Sequence, residues 1–149
     1  MRWFRANAER YGVDPSKIII GGYSAGGADS FLATFNCAFA DSDDNSNPSN
    51  LGFSSCSQAE LAWGPSTAQA GIGFIVPGSP PLIEFWGELD PGYTGVTAGF
   101  LQLYADLAGI PNELYMYPGA EHYKNLWTDA NIRDMTQKAS TFIYYNVLN

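Results

Sequence analysis

Positive charge is scarce in this sequence. Seven Lys and Arg stand against 15 Asp and Glu among 149 residues, for a formal net charge of −8. Nucleic acid and anionic membrane surfaces are gripped through Lys and Arg, so the composition argues against both as partners. Long apolar runs are missing too. None approaches the roughly 20 residues that a membrane-spanning helix needs, and the opening "MRWFRANAER" carries charges where a signal sequence would have an apolar stretch. Cysteine is limited to Cys37 and Cys56, at either side of the most polar segment, "ADSDDNSNPSNLGFSS". Two cysteines closing one loop fit a disulfide, and hence a secreted or extracellular setting, but two buried thiols of a reduced protein fit the same count. In that segment Asp41, Asp43, Asn45 and Asn47 alternate as the first ligands of a calcium loop do. The central Gly and closing Glu are lacking, with Ser46 and Gly52 in the neighbourhood instead, so a solvated acidic loop is the better reading and no metal or cofactor is expected.

What is present suits one globular domain spanning residues 1–149, since 46% of the residues are hydrophobic and 15% charged, enough for a single core. Met1 to Tyr11 reads as a helix with Phe4, Ala8 and Tyr11 on one face, stopped at Gly12 with Pro15 beyond. "KIIIGG" (17–22) follows as a short buried strand. Ala28, Phe31, Leu32, Phe35, Ala38 and Phe39 then recur at helical spacing. "AELAW" is a strand ended by "GPS", and Thr67 to Pro81 is a loop rich in Gly and Pro. "LIEFW" is a strand, "AGFLQLYADLAG" a helix closed by Gly109 and Pro111, and "ELYMY" a strand. A last helix turns Ile132, Met135, Ala139, Phe142 and Ile143 inward. Alternating strands and helices imply right-handed crossovers and a parallel sheet, here of four strands, covered on both faces. Trp3, Phe31 and Phe85 fall at expected core positions.

The junction "IIIGGYSAGGADSF" packs four glycines around one serine, where a β-branched run gives way to helical spacing. A bend that tight leaves little room for side chains beside Ser24, and it pushes the serine outward. "GYSAG" fits Gly-x-Ser-x-Gly with Gly22, Ser24 and Gly26, a pattern that chance would supply roughly 0.1 times in a chain of this composition. Its place between strand and helix is what makes it a candidate nucleophile elbow, with the helix N-terminus aimed at the serine. The competing reading is a glycine-rich turn with an exposed serine. A serine hydroxyl needs a base, and the base needs a group to orient it. The single histidine, His122, follows the strand "ELYMY" in "PGAEH", and Asp90 follows "LIEFW" in "WGELDP". In a parallel sheet both turns lie on the carboxyl edge, with Ser24. Glu88 is the second choice of acid.

On these three motifs the sequence resembles the α/β-hydrolase superfamily, in particular its bacterial esterase and lipase-like branch. "RYGVDPSKIIIGGYSAGG" is similar to the helix, turn, strand and elbow of those enzymes. "PPLIEFWGELDP" is similar to their acid-bearing strand and turn, with Trp86 where many have a histidine, and "LYMYPGAEH" to their histidine loop. The resemblance implies an α/β fold with Ser24 as nucleophile, Asp90 as acid, His122 as base, and the backbone N–H of Ala25 as one oxyanion donor. It also implies a serine hydrolase of small carboxylic esters that works through an acyl-enzyme.

The departures carry expectations of their own. Such enzymes have about as much chain again before the elbow, including a glycine-rich loop that gives a second oxyanion donor, and no His-Gly-Gly occurs here. The expectation is therefore a truncated, minimal version of the fold. Loss of one donor costs on the order of 100 to 1,000-fold in turnover, so a noncatalytic remnant or interaction module is the alternative, and a peptidase-type hydrolase a lesser one. The strand at 17–22 would also be an unpaired apolar edge, which points to a homodimer formed through it.

Overall fold

The computed structural model describes residues 1–38, 41, 50–65, 73–92 and 97–149. Four strands, β1 (Ile20–Tyr23), β2 (Glu60–Trp63), β3 (Leu82–Gly87) and β4 (Asn112–Tyr117), form one sheet in chain order. All three pairings are parallel, and Ile20, Glu60, Leu82 and Asn112 stand side by side in register. Because the strands start level, the turns that follow them gather along one edge of the sheet. The α/β class and the four parallel strands expected from the sequence are both present.

β3 is buried at every residue, as a strand covered on both faces must be. Its alternation divides the core in two. Phe31 and Phe35 of helix α3 (Ala25–Phe35) and Leu101 and Ala105 of α4 (Thr97–Ala108) pack with Leu82 and Ile110 on one face. Met135, Ala139 and Phe142 of α5 (Asp129–Ile143) pack with Leu61, Ile83, Phe85 and Tyr117 on the other. A π-helical turn, Tyr144–Leu148, continues α5, which its sequence did not announce.

The N-terminal segment departs from expectation. In place of one helix there are two, α1 (Arg2–Ala6) and α2 (Ala8–Tyr11), parted at Asn7, whose side chain donates to the Trp3 carbonyl at 2.8 Å and so competes with the backbone ladder. Only Ala8 of this segment is buried; Trp3, Phe4 and Tyr11 are 44%, 48% and 50% exposed, so Trp3 is no core residue although Phe31 and Phe85 are. The segment is held instead by the Arg5 guanidinium, which donates to the carbonyls of Ser54 and Cys56 and to Gln58. Strand β1 starts three residues later than expected because the Ile18 N–H is taken by the Gln58 side chain at 2.8 Å.

Cys37 and Cys56 are joined in a disulfide. Asp41 accepts from Arg2, Ser54 and Ser55. These hydrogen bonds outweigh the cost of its partial burial and draw its carboxyl down to about 2. Asp43, Asn45, Asn47, Phe39 and residues 67–72 lie outside the described residues. Among the described residues no helix is long and apolar enough to cross a membrane.

Candidate active site

Each of the four strands delivers one residue to the gathered edge: Ser24 directly after β1, Gly64 directly after β2, Asp90 after β3 and His122 after β4. Ser24 has φ +56° and ψ −121°, a conformation that an L-residue holds only when its surroundings impose it, at a cost of about 1–3 kcal/mol. Its N–H donates to the Trp63 carbonyl at 2.9 Å, while its own carbonyl accepts the N–H groups of Gly27 and Ala28, which ties strand to helix through one residue. A Cβ on Gly22 would stand 2.1 Å from the Gly26 carbonyl oxygen, and one on Gly27 would stand 3.0 Å from the Gly22 oxygen. Gly26 has open space around it. The steric demand of the elbow thus rests on Gly22 and Gly27, and not on Gly26 as the spacing of the motif suggested.

The Ser24 Oγ lies 2.8 Å from His122 Nε2, and His122 Nδ1 lies 2.6 Å from Asp90 Oδ2. With Nδ1–H donating to the carboxylate, Nε2 is the acceptor that faces the serine hydroxyl. Asp90 is buried and its second oxygen accepts the Gly92 N–H at 2.7 Å. Glu88 points elsewhere: it accepts the Gly119 N–H at 2.9 Å and pins the turn after β4 to the turn after β3. Those two turns touch at Gly87, where a Cβ would stand 2.4 Å from the Ala120 oxygen.

Two residues that the sequence reading passed over complete the site. Gly64, read only as the end of a strand, has φ +51°, and a Cβ there would lie 3.1 Å from Asp90 Oδ2 and 3.2 Å from His122 Nδ1. Tyr23, read only as the spacer of the motif, donates its hydroxyl to the His122 carbonyl at 2.7 Å and stacks on the imidazole, centroids 5.0 Å apart and planes 25° apart. Burial foremost raises the Tyr23 phenol above its ordinary value, so it stays a donor. Ala25 opens α3 on the exposed side, where a first-turn N–H has no acceptor within the helix and the positive end of the helix faces Ser24. A cleft of about 400 Å³ opens beside the histidine, lined by Pro91, Gly92, Glu121, Tyr123 and Lys124. Among the described residues no group of three or more His, Cys, Asp or Glu is placed to hold a metal ion.

The architecture matches solved hydrolases. A truncated form of a carbohydrate esterase from gut microbiota superposes with a TM-score of 0.78 at 21% identity, over 95% of this chain and 65% of that one. Esterase 2 of the planctomycete Thermogutta terrifontis, with butyrate bound, gives 0.80 at 23% identity over 97% of this chain and 62% of its own. This is the α/β-hydrolase fold. An acetyl ester-xyloside bifunctional hydrolase from Caldicellulosiruptor lactoaceticus shares the same α/β-hydrolase architecture, with a TM-score of 0.77 at 18% identity over 97% of this chain and 62% of that one. The chain therefore spans less than two thirds of the α/β-hydrolases it matches. No protein-family model and no curated protein matches the sequence.

Proposed function

We propose that this chain is a serine hydrolase that cleaves small carboxylic esters through an acyl-enzyme. The observation that carries the reading is the unbroken line from Ser24 Oγ through the imidazole to the Asp90 carboxylate, at 2.8 and 2.6 Å, with the serine on a strained elbow. In this reading His122 Nε2 takes the hydroxyl proton as Ser24 Oγ bonds to the ester carbonyl carbon. The oxyanion forms before the N-terminus of α3, with the Ala25 N–H as donor. Collapse expels the alcohol, which leaves with the proton from His122, and a water activated by the same nitrogen releases the acid and restores the serine. The neighbours in fold include an esterase with butyrate bound and the same esterase phosphorylated by paraoxon, both in keeping with this chemistry.

Replacing Ser24 by Ala tests it. The variant should hydrolyse p-nitrophenyl acetate at the buffer rate and lose all labelling by a fluorophosphonate probe. Activity retained in Ser24→Ala but lost in His122→Ala would mean a different nucleophile. A folded wild-type protein that neither labels nor turns over would support the noncatalytic reading.

For partners, we propose a second copy of the chain. β1 pairs with β2 alone among the described strands, which leaves its other edge of N–H and C=O groups for a neighbour.

A further inference from the structure

The contacts of Tyr23 go beyond those of a residue that fills space beneath an active site. We infer that Tyr23 is a positioning residue for His122, setting the tilt of the imidazole by its ring and the height of the histidine backbone by its hydroxyl. This rests on the hydrolase reading above.

The two hydrogen bonds to His122, from Asp90 at one end of the ring and Ser24 at the other, define an axis through Nδ1 and Nε2. Rolling the ring about that axis changes neither distance by much, so the two hydrogen bonds by themselves leave the plane of the imidazole unset. A flat neighbour parallel to the ring removes that freedom, and the Tyr23 ring, 25° from parallel, is such a neighbour. Tyr23 is braced in turn by Trp127 and Tyr123, which meet its ring edge-on at 5.1 and 5.7 Å.

The backbone of His122 is held the same way. It lies in the irregular segment between β4 and α5, and among the described residues the Tyr23 hydroxyl is the group that donates to its carbonyl. Since Tyr23 and Ser24 are consecutive, base and nucleophile share one rigid unit across 98 residues of chain. The stack also favours the state in which the ring has taken the serine proton, because a cation over an aromatic face is attracted to it. The contact is therefore stronger as the reaction proceeds than in the resting enzyme, and belongs to kcat.

The test compares Tyr23→Leu, which removes ring and hydroxyl, with Tyr23→Phe, which keeps the ring. In Tyr23→Leu, kcat for p-nitrophenyl acetate should fall about tenfold, with KM within about twofold because no ground-state contact to the ester is lost. Tyr23→Phe should recover most of that loss. The sequence has one histidine, so the imidazole Cε1–H resonance is unambiguous. It should lie at nearly the same position in wild type and Tyr23→Phe and move downfield in Tyr23→Leu as the Tyr23 ring current is lost, while Tyr123, edge-on to the imidazole at 4.7 Å, acts on it in all three. A resonance that does not move, a kcat that does not fall, or a loss carried wholly by KM would each overturn the inference. If thermal unfolding shows Tyr23→Leu poorly folded, Tyr23→Met fills the space with no flat face, and the same outcomes decide. A wild type without esterase activity would defeat the hydrolase reading, while the resonance would still decide where the ring sits.

Discussion

Gly64 matters through what it lacks. A methyl group there would press on the Asp90 oxygen and the His122 nitrogen that together form the shortest contact of the site, and φ of +51° strains any other residue as well. Those atoms must give by a few tenths of an ångström, so Gly64→Ala should lower kcat by about tenfold, less than the loss that a full displacement of about 1 Å in a reacting group brings, while KM changes little. Steady-state kinetics beside a thermal melt will separate this from unfolding. The single histidine leads to a second expectation: kcat/KM should show one ascending limb with pH, because only a neutral imidazole accepts the serine proton. A flat profile would count against general-base catalysis. Ser24, Asp90 and His122 were legible in the sequence because their types are rare or motif-bound and their order along the chain matches the order of the strands. Gly64 and Tyr23 were not. Their roles depend on which side chains meet across the sheet, and neither glycine in a turn nor tyrosine in a strand signals that locally.

At the scale of elements, the elbow divides its glycines by function. Gly22→Ala should destabilise the fold by about 3 kcal/mol, since its methyl group would overlap the Gly26 carbonyl. Gly26→Ala, with open space at a helical position, should instead gain about 0.5–1 kcal/mol. Denaturant titration of both variants reads the contrast. Strands β2 and β3 carry another consequence on the face toward α3. Glu60 and Glu84 are fully buried there, Glu60 bonded to Ser30 and Thr34 and Glu84 to the Trp86 indole. Burial foremost pushes each carboxyl up from about 4.5 to about 8. Folding thus favours their protonated forms. The stability they contribute is fully present below pH about 4.5 and is lost as pH rises through about 8. Melting temperature measured across that window should decline, and Glu60→Gln with Glu84→Gln should flatten the curve. The strands were legible because β-branched and aromatic runs sit between glycine and proline breaks. The N-terminal helix was misread because periodicity cannot tell an apolar face that meets the core from one, like that of Trp3 and Phe4, that is left half in water.

For the whole molecule, the disulfide closes a loop between Cys37 and Cys56, 19 residues apart, and its reduction should cost about 3 kcal/mol if the loop is free in the unfolded chain. A melt with and without reductant measures it. Association is the other global property at issue. The dimer through β1 predicts a sedimenting species of twice the chain mass at low micromolar concentration, and a clean monomer would remove it. Ile19 packs against the α5-side core, so a charge placed there would report on folding before association, and sedimentation of the unaltered chain is the proper test. The backbone of Ser24 has one more implication, for anyone who selects this protein by heat. Glycine would adopt φ of +56° without strain, and relief of about 1 kcal/mol or more is available from that single change. A library screened for survival at high temperature should accordingly enrich Ser24→Gly, raising the melting point of clones that, on the mechanism proposed above, have lost the nucleophile. Robustness and reactivity compete at this one position, and a screen for the first has to be coupled to an assay for the second.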